Sequence, residues 1–202
     1  MKRYFVTAIG TDSGKTFFSA ILTEALKADY WKPVQSGEPA DSKTVASLIS
    51  NEESSILKER YFLKTPASPH ASAAIDGVEI KAQDFTLPEG NRNLVVEGAG
   101  GLLVPLNQEE TIADLIKVLG IPVILVSNLY LGNINHTLLS AHYLQSAGIA
   151  VAGIVFNGPA NPASEEVIEK MTGYPVLLRI AQEELVDKEV VKRYAAQLID
   201  QL

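Results

Sequence analysis

The chain of 202 residues contains no cysteine. That absence removes disulfides, thiolate zinc sites, thiol redox chemistry and a cysteine nucleophile together, so any chemistry must use oxygen, nitrogen or a bound metal. Positive charge is also scarce: Lys and Arg number 17 against 24 Asp and Glu, a net charge of −7. Nucleic-acid binding draws its affinity from many Lys and Arg side chains neutralising phosphates, so this balance gives no general reason to expect a nucleic-acid partner. A local cationic pocket is compatible with it. Long apolar runs are missing too. The longest, residues 148–156, falls well short of the ~18 residues that suggest a membrane span. The apolar stretch after the basic Lys2 and Arg3 ends by Ile9, without the small-residue cleavage pattern of a signal peptide. A cytoplasmic protein with no membrane contact is expected.

What the chain does have is 47% apolar residues. At about 150 residues per domain, that composition predicts one domain over residues 1–202 with a substantial core. Short β-rich apolar runs at residues 4–9, 30–34, 94–97, 122–127, 151–157 and 175–178 read as strands. Most are apolar on both faces, as strands of a buried parallel sheet are. Between them Phe17, Phe18, Ile21, Leu22, Ala25 and Leu26 recur at helical spacing, as do Ile112, Leu115, Ile116 and Leu119 ahead of Gly120. Residues 134–146 form a third expected helix, and Val190, Val191, Tyr194, Ala195, Leu198, Ile199 and Leu202 mark a fourth. In residues 51–93, with scattered apolar positions and three prolines, only a strand at 61–63 is expected. The alternation predicts an α/β fold, a doubly wound, mostly parallel sheet with helices on both faces.

Gly10-Thr11-Asp12-Ser13-Gly14-Lys15-Thr16 lies between the first strand and the first helix. There, small residues let backbone N–H groups close around phosphate oxygens, Lys15 adds a cation at the β/γ position, and the Thr16 hydroxyl can ligate Mg²⁺. The GxxxxGK[ST] pattern asks for Gly where Ile9 stands, so the loop must begin differently. The plainer reading is a glycine turn ahead of a structural helix. The strand–loop–helix context favours the nucleotide and makes the expected fold P-loop NTPase-like.

Lys32-Pro33-Val34-Gln35-Ser36-Gly37 follows the second expected strand, and the C-terminal strand ends of a parallel sheet share one rim, so Lys32 and Ser36 can face the phosphate loop. Taken alone, the segment reads as a solvated lysine before a Pro/Gly turn. Glu97 ends a buried strand and is followed by Gly98, Ala99, Gly100 and Gly101. It is either a Walker-B-like carboxylate approaching Mg²⁺ or a structural acid bonded to backbone, and the phosphate loop favours the metal. Asp41 can cap a helix beginning near Lys43 or reach the same Mg²⁺; sequence alone favours the cap. Gly132-Asn133-Ile134-Asn135 opens the third helix, whose free N–H groups suit a carboxylate or simply a polar helix start. His136 and His142, six apart, and the distant His70 do not make a metal site.

Together these residues resemble the dethiobiotin synthetase family, ATP-dependent enzymes that close the ureido ring in biotin synthesis. The resemblance covers nearly the whole chain. It rests on Tyr4-Phe5-Val6-Thr7 leading into the loop, on Lys32-Pro33-Val34 with Ser36-Gly37, on Ser68-Pro69-His70 and on Val96-Glu97-Gly98-Ala99-Gly100-Gly101. Pro122-Val123-Ile124-Leu125-Val126 and Leu131-Gly132 with Ile134-Asn135-His136 complete it. The resemblance implies a ligase that joins 7,8-diaminononanoate and CO₂, or bicarbonate, using ATP and Mg²⁺. One amine captures CO₂ as a carbamate, the carbamate oxygen attacks the γ-phosphate, and the second amine displaces phosphate to close the ring.

The resemblance further implies that Lys32 is catalytic with Lys15 and Thr11, that Ser36 contacts substrate, and that Thr16, Asp41 and Glu97 bind the metal. Asp41 thereby moves from cap to ligand. The implied nucleotide contacts are Asp12, Ser13, Gly14, Lys15, Thr16 and Phe17 on the loop, Asp41, Glu97, Gly98, Ala99 and Gly100 on the rim, and Asn157, Gly158 and Ala181 around the base, with Asn157 reading adenine. A homodimer is implied, in which Gly132, Asn133, Ile134 and Asn135 of the neighbouring subunit reach the substrate's carboxylate. Departures occur at Ala8, where the family has Gly, at Asp12, where it has Glu or Gly, and at residues 178–182, which lack the Gly and Pro of its Gly-x-Ile-Pro nucleotide loop. Two other readings fit the same fold class. A partitioning or septum-site switch ATPase carries a second lysine early in the loop, where this chain has Gly10, and the synthetase module of a glutamine-dependent amidotransferase would need a separate glutaminase subunit, since this chain has no cysteine.

Overall fold

In the computed structural model, which describes residues 1–202, strand and helix alternate from the start. The first half runs β1 (Arg3–Ala8), α1 (Lys15–Leu26), β2 (Asp29–Trp31), β3 (Val34–Ser36), α2 (Asp41–Leu48), β4 (Ile56–Leu57), β5 (Tyr61–Leu63) and α3 (Pro69–Asp76). The second runs β6 (Leu94–Glu97), α4 (Ile112–Leu119), β7 (Val123–Asn128), α5 (Asn133–Ser146), β8 (Val151–Asn157), α6 (Pro162–Thr172), β9 (Val176–Ile180) and α7 (Lys188–Leu198). Seven strands form one sheet in the order β4-β2-β6-β1-β7-β8-β9, with every pair parallel.

Side chains alternate across this sheet with period two. Phe5, Val96, Leu125 and Phe156 enter a core of 24 buried residues shared with α3, α4, α5 and α6. Val6, Val95, Ile124 and Val155 enter one of 23 shared with α1, α2 and α7. Cores of nearly equal size mean that both faces are covered, which is why the strand runs are apolar throughout. The chain builds one side of the sheet first, returns through β6 beside β1, then adds β7 to β9 on the other side. The C-terminal ends of β1 and β6 therefore meet at the switch point, where ligands of open α/β sheets bind.

The single strand expected over residues 30–34 is two strands. Pro33 has no N–H to donate to the ladder, so β2 stops at Trp31. Strand β3 pairs instead with β5 in a separate two-stranded parallel sheet, Val34 opposite Tyr61 and Ser36 opposite Leu63. Lys32 sits at the break between the two sheets. The expected strand at 175–178 runs on to Ile180, and the last helix tightens into one further turn over Ile199–Gln201. Helix α6 escapes the apolar pattern but carries its own start signal: Asn161 Oδ1 accepts from the Ser164 N–H at 3.1 Å, and Pro162 takes the first turn. No helix is long and apolar enough to cross a membrane.

Candidate active site

Strands β2 and β6 are neighbours, with Tyr30 opposite Val95 and Trp31 opposite Val96. The next residue on each, Lys32 and Glu97, therefore meet at the rim. Glu97 is fully buried. Its Oε1 accepts from the Thr16 hydroxyl at 2.9 Å and from Lys32 Nζ at 3.1 Å, and its Oε2 accepts from the Tyr30 hydroxyl at 2.9 Å. A buried carboxylate is costly when alone, and three donors, one of them charged, offset that cost. Lys32, only 3% exposed, also lies 2.6 Å from Asp41 Oδ2 and donates to the Gly98 carbonyl at 3.0 Å. Burial by itself lowers its pKa, but the charges of Glu97 and Asp41 and their hydrogen bonds outweigh this and leave it raised. The Tyr30 hydroxyl is pushed well above its ordinary value, chiefly by burial and then by the Glu97 charge, so it stays a donor.

Two plainer readings fail here. Lys32 is not a solvated lysine. Asp41 is not a cap, because α2 begins at Asp41 itself with Ala40 in the cap position, and the Asp41 carboxylate turns toward Lys32. Gln35 fixes this corner by donating to the Gly37 carbonyl at 2.9 Å and accepting from the Asp41 N–H at 3.1 Å.

The phosphate loop turns left-handed at Asp12 (φ 55°) and at Gly14 (φ 90°). At Gly14 a Cβ would lie 2.2 Å from Asn157 Nδ2, so nothing larger fits. That amide donates to the Ser13 carbonyl at 3.0 Å, which ties the end of β8 to the loop. Lys15 Nζ folds back onto the Gly10 carbonyl at 3.1 Å. Its pKa is lowered to about 8, first by burial and then by the Lys32 charge. From the other side, a Cβ on Gly101 would stand 3.3 Å from Gly10 Cα, so the glycines after β6 let that loop pack against the phosphate loop.

A cavity of about 480 Å³ opens between Thr11, Lys32, Ser36, Asp41, Ser68 and Gly100. The Ser36 hydroxyl is buried there with no hydrogen-bond partner. Through Thr11 and Val104 this cavity continues into a more apolar groove of about 410 Å³, bounded by Ile9, Leu102, Leu103 and, on α5, His136, Leu139 and Tyr143. Gly158 and Ala181 line a third cavity of about 370 Å³ with Phe156 and Arg179, beside Asn157. Where the resemblance leads one to expect proline, the Ala181 N–H donates to the Tyr194 hydroxyl at 3.0 Å, and that hydroxyl donates to Glu183 at 2.5 Å. Phe17 packs edge-on against the same Tyr194 ring. Helix α7 thus holds a loop that lacks the rigidity of the proline.

The fold therefore gathers Thr11, Lys15, Thr16, Lys32, Ser36, Asp41 and Glu97 at one rim. Gly132, Asn133, Ile134 and Asn135 line none of the three cavities. Tyr30, Gln35 and Tyr194 are additions that the sequence reading missed. A tyrosine in a run bound for the core is the one available signal, since its buried hydroxyl must find a partner. Thr16, Asp41 and Glu97 offer only hard oxygens, the donors Mg²⁺ takes.

The fold is shared with septum-site proteins. MinD of Pyrococcus horikoshii complexed with Mg-ADP superposes with a TM-score of 0.59 at 14% identity, over 99% of this chain and 92% of that one. The cell-division ATPase MinD of Pyrococcus furiosus gives 0.57 at 15% identity over the whole of both chains. A family model described as an AAA domain matches residues 2–190. The sequence is 57% identical to the ATP-dependent dethiobiotin synthetase BioD of Cytophaga hutchinsonii, over 99% of this chain and 98% of that protein. It is 52% identical to that of Christiangramia forsetii, over 96% and 94%. By these identities over nearly its full length, the chain belongs to the ATP-dependent dethiobiotin synthetase family.

Proposed function

We propose that this chain makes dethiobiotin from 7,8-diaminononanoate, CO₂ and ATP, with residues 1–202 acting as one synthetase domain in the cytoplasm, where ATP is available. The observation that carries this reading is the buried, unpartnered Ser36 hydroxyl in the same cavity as Lys32 and Thr11. An unpaired buried hydroxyl costs stability unless a ligand satisfies it, and an amine or carbamate does so. Thr11 and Ser36 orient the carbamate, while Lys15 and Lys32 supply the positive field that lets it approach a triphosphate. Thr16, Asp41 and Glu97 would hold Mg²⁺, whose charge neutralises phosphate oxygens. The aliphatic chain of the diamine suits the more apolar groove that opens beyond Thr11. A switch ATPase gives neither Ser36 nor this groove a role.

The test is release of ADP and phosphate by the purified protein. Turnover is expected only when diaminononanoate and bicarbonate are both present, and ATP cleavage indifferent to the diamine would overturn the reading.

The reading includes a homodimer. Leu103 and Leu139 flank the groove at 55% and 60% exposure, and Leu131, beside the Gly132 turn, is fully exposed. A second copy laid on this apolar rim would shield it and bring its own Gly132, Asn133, Ile134 and Asn135 to the substrate's carboxylate end. Leu139→Asp is expected to shift sedimentation from dimer to monomer and to raise KM for the diamine. A variant that stays dimeric with unchanged KM counts against this interface.

A further inference from the structure

Ring closure has a requirement that the residues above do not meet. Each amine of the diamine is an ammonium in water and must lose a proton to become a nucleophile. Asp41, the one carboxylate lining the substrate cavity, is paired at 2.6 Å with the Lys32 ammonium, and Glu97 behind it already takes three hydrogen bonds. The Ser68-Pro69-His70 segment has no part in the chemistry described so far. Resting on the proposed diamine chemistry, we propose that Ser68 and His70 form a proton exit from this cavity.

Three features of the segment carry the proposal. Ser68 lines the substrate cavity alongside Lys32 and Ser36. It occupies the cap position of α3, where a serine hydroxyl ordinarily accepts from a backbone N–H of the first turn, yet it makes no such bond and pairs with His70 Nδ1 at 3.0 Å. His70 in turn lines a different cavity, of about 440 Å³, with Ala73, Ile80 and Leu106, and its Nε2 has no protein partner. Its backbone is held by an N–H bond to the Pro105 carbonyl at 3.2 Å. The pair therefore spans the wall between the substrate cavity and a second, outer one.

The transfer balances simply. As the substrate ammonium gives its proton to Ser68 Oγ, the hydroxyl proton passes to His70 Nδ1, leaving a neutral amine, an unchanged serine and an imidazolium. The imidazolium releases its Nε2 proton to water in the outer cavity; a turn of the ring about its Cβ–Cγ bond then exposes the remaining Nδ1–H to the same water, where loss of that proton and reprotonation of Nε2 restore the starting tautomer with one proton released in all. Charged groups around the outer cavity are Glu79 and Lys81, paired at 3.2 Å, with Glu109 and Glu110. Glu110 is occupied by the Ala82 N–H and the Asn107 amide, and Asp76 of α3 accepts from the Lys64 N–H.

The experiment compares the wild type with His70→Ala, His70→Gln, Ser68→Ala and the Ser68→Ala/His70→Ala double variant, with thermal melts to confirm folding. Loss of a proton acceptor is expected to lower kcat about 100-fold while leaving KM for ATP unchanged. The double variant should be no slower than the slower single. Imidazole should restore His70→Ala, by entering the space beside the outer cavity, but not the double variant. Wild-type kcat in His70→Gln, or losses that multiply in the double variant, would overturn the relay. A wild type that makes no dethiobiotin would overturn the underlying function instead.

Discussion

Lys32→Ala is expected to lower kcat about 1000-fold while leaving nucleotide binding in place, the upper end of the loss seen when one preorganised donor to a developing charge is removed. The lysine lines the cavity beside Ser36 and touches neither the Gly10 carbonyl nor Lys15, so the phosphate loop keeps its shape without it. The same substitution exposes what the lysine does in the free protein. Glu97 and Asp41 lose their shared cation, and removing one partner of a buried ion pair costs about 3–5 kcal/mol. The melting temperature should drop accordingly, and millimolar Mg²⁺ should recover part of it, because a divalent ion restores charge balance at those carboxylates. Thermal melts with and without Mg²⁺, beside steady-state kinetics and fluorescent-nucleotide titration, test all three effects. Unchanged kcat would return Lys32 to a structural role, and no Mg²⁺ response would argue against Asp41 and Glu97 as its ligands.

The parts of the fold that the sequence declares are those where one physical signal dominates. Leu94–Glu97 and Val151–Asn157 lie between two covered faces, and their unbroken apolar runs give strand bounds directly. The 30–34 run obeys the same rule until Pro33, and the missing N–H divides it between two sheets. Residues 51–93 resist reading because their anchors, Leu63, Ile80 and Phe85, enter the core at irregular intervals from a segment that crosses its surface. The site follows a similar division. Lys15 and Thr16 are legible because the phosphate-loop pattern fixes their spacing, and Glu97 because a carboxylate ending an apolar run before glycines stands out. Asp41 is not, since its pairing with Lys32 depends on where α2 begins, and no local pattern separates Asp41 from Lys43 as that start. Tyr30 and Tyr194 act through contacts 67 and 13 residues away along the chain, beyond any motif.

Lys15→Met should have opposite effects on function and on stability. Turnover is expected to fall at least about 100-fold, because the cation at the β/γ-phosphates is gone. The nucleotide-free protein should nevertheless become more stable. Lys15 is 7% exposed, and its ammonium has one protein partner, the Gly10 carbonyl. Its pKa in the fold is about 8 against an ordinary 10.5, a difference worth about 3 kcal/mol. A buried methionine carries no such cost, and the melting temperature should rise by roughly 6–12 °C. The sign of the pH dependence follows. Below pH 8 the lysine is charged in both folded and unfolded chains, so the full penalty applies. Between pH 8 and 10.5 the folded protein has released the proton that the unfolded chain still holds, so the wild type gains stability with rising pH and the gap closes. A gap that stays constant from pH 6.5 to 10 would contradict this account. Saturating MgATP should reverse the order, since ligand binding stabilises the wild type in proportion to the logarithm of its occupancy ratio, and the variant has lost the cation that holds the phosphates. The destabilised lysine is thus charge held ready for a phosphate, and its cost in the free protein is the counterpart of its use in the complex.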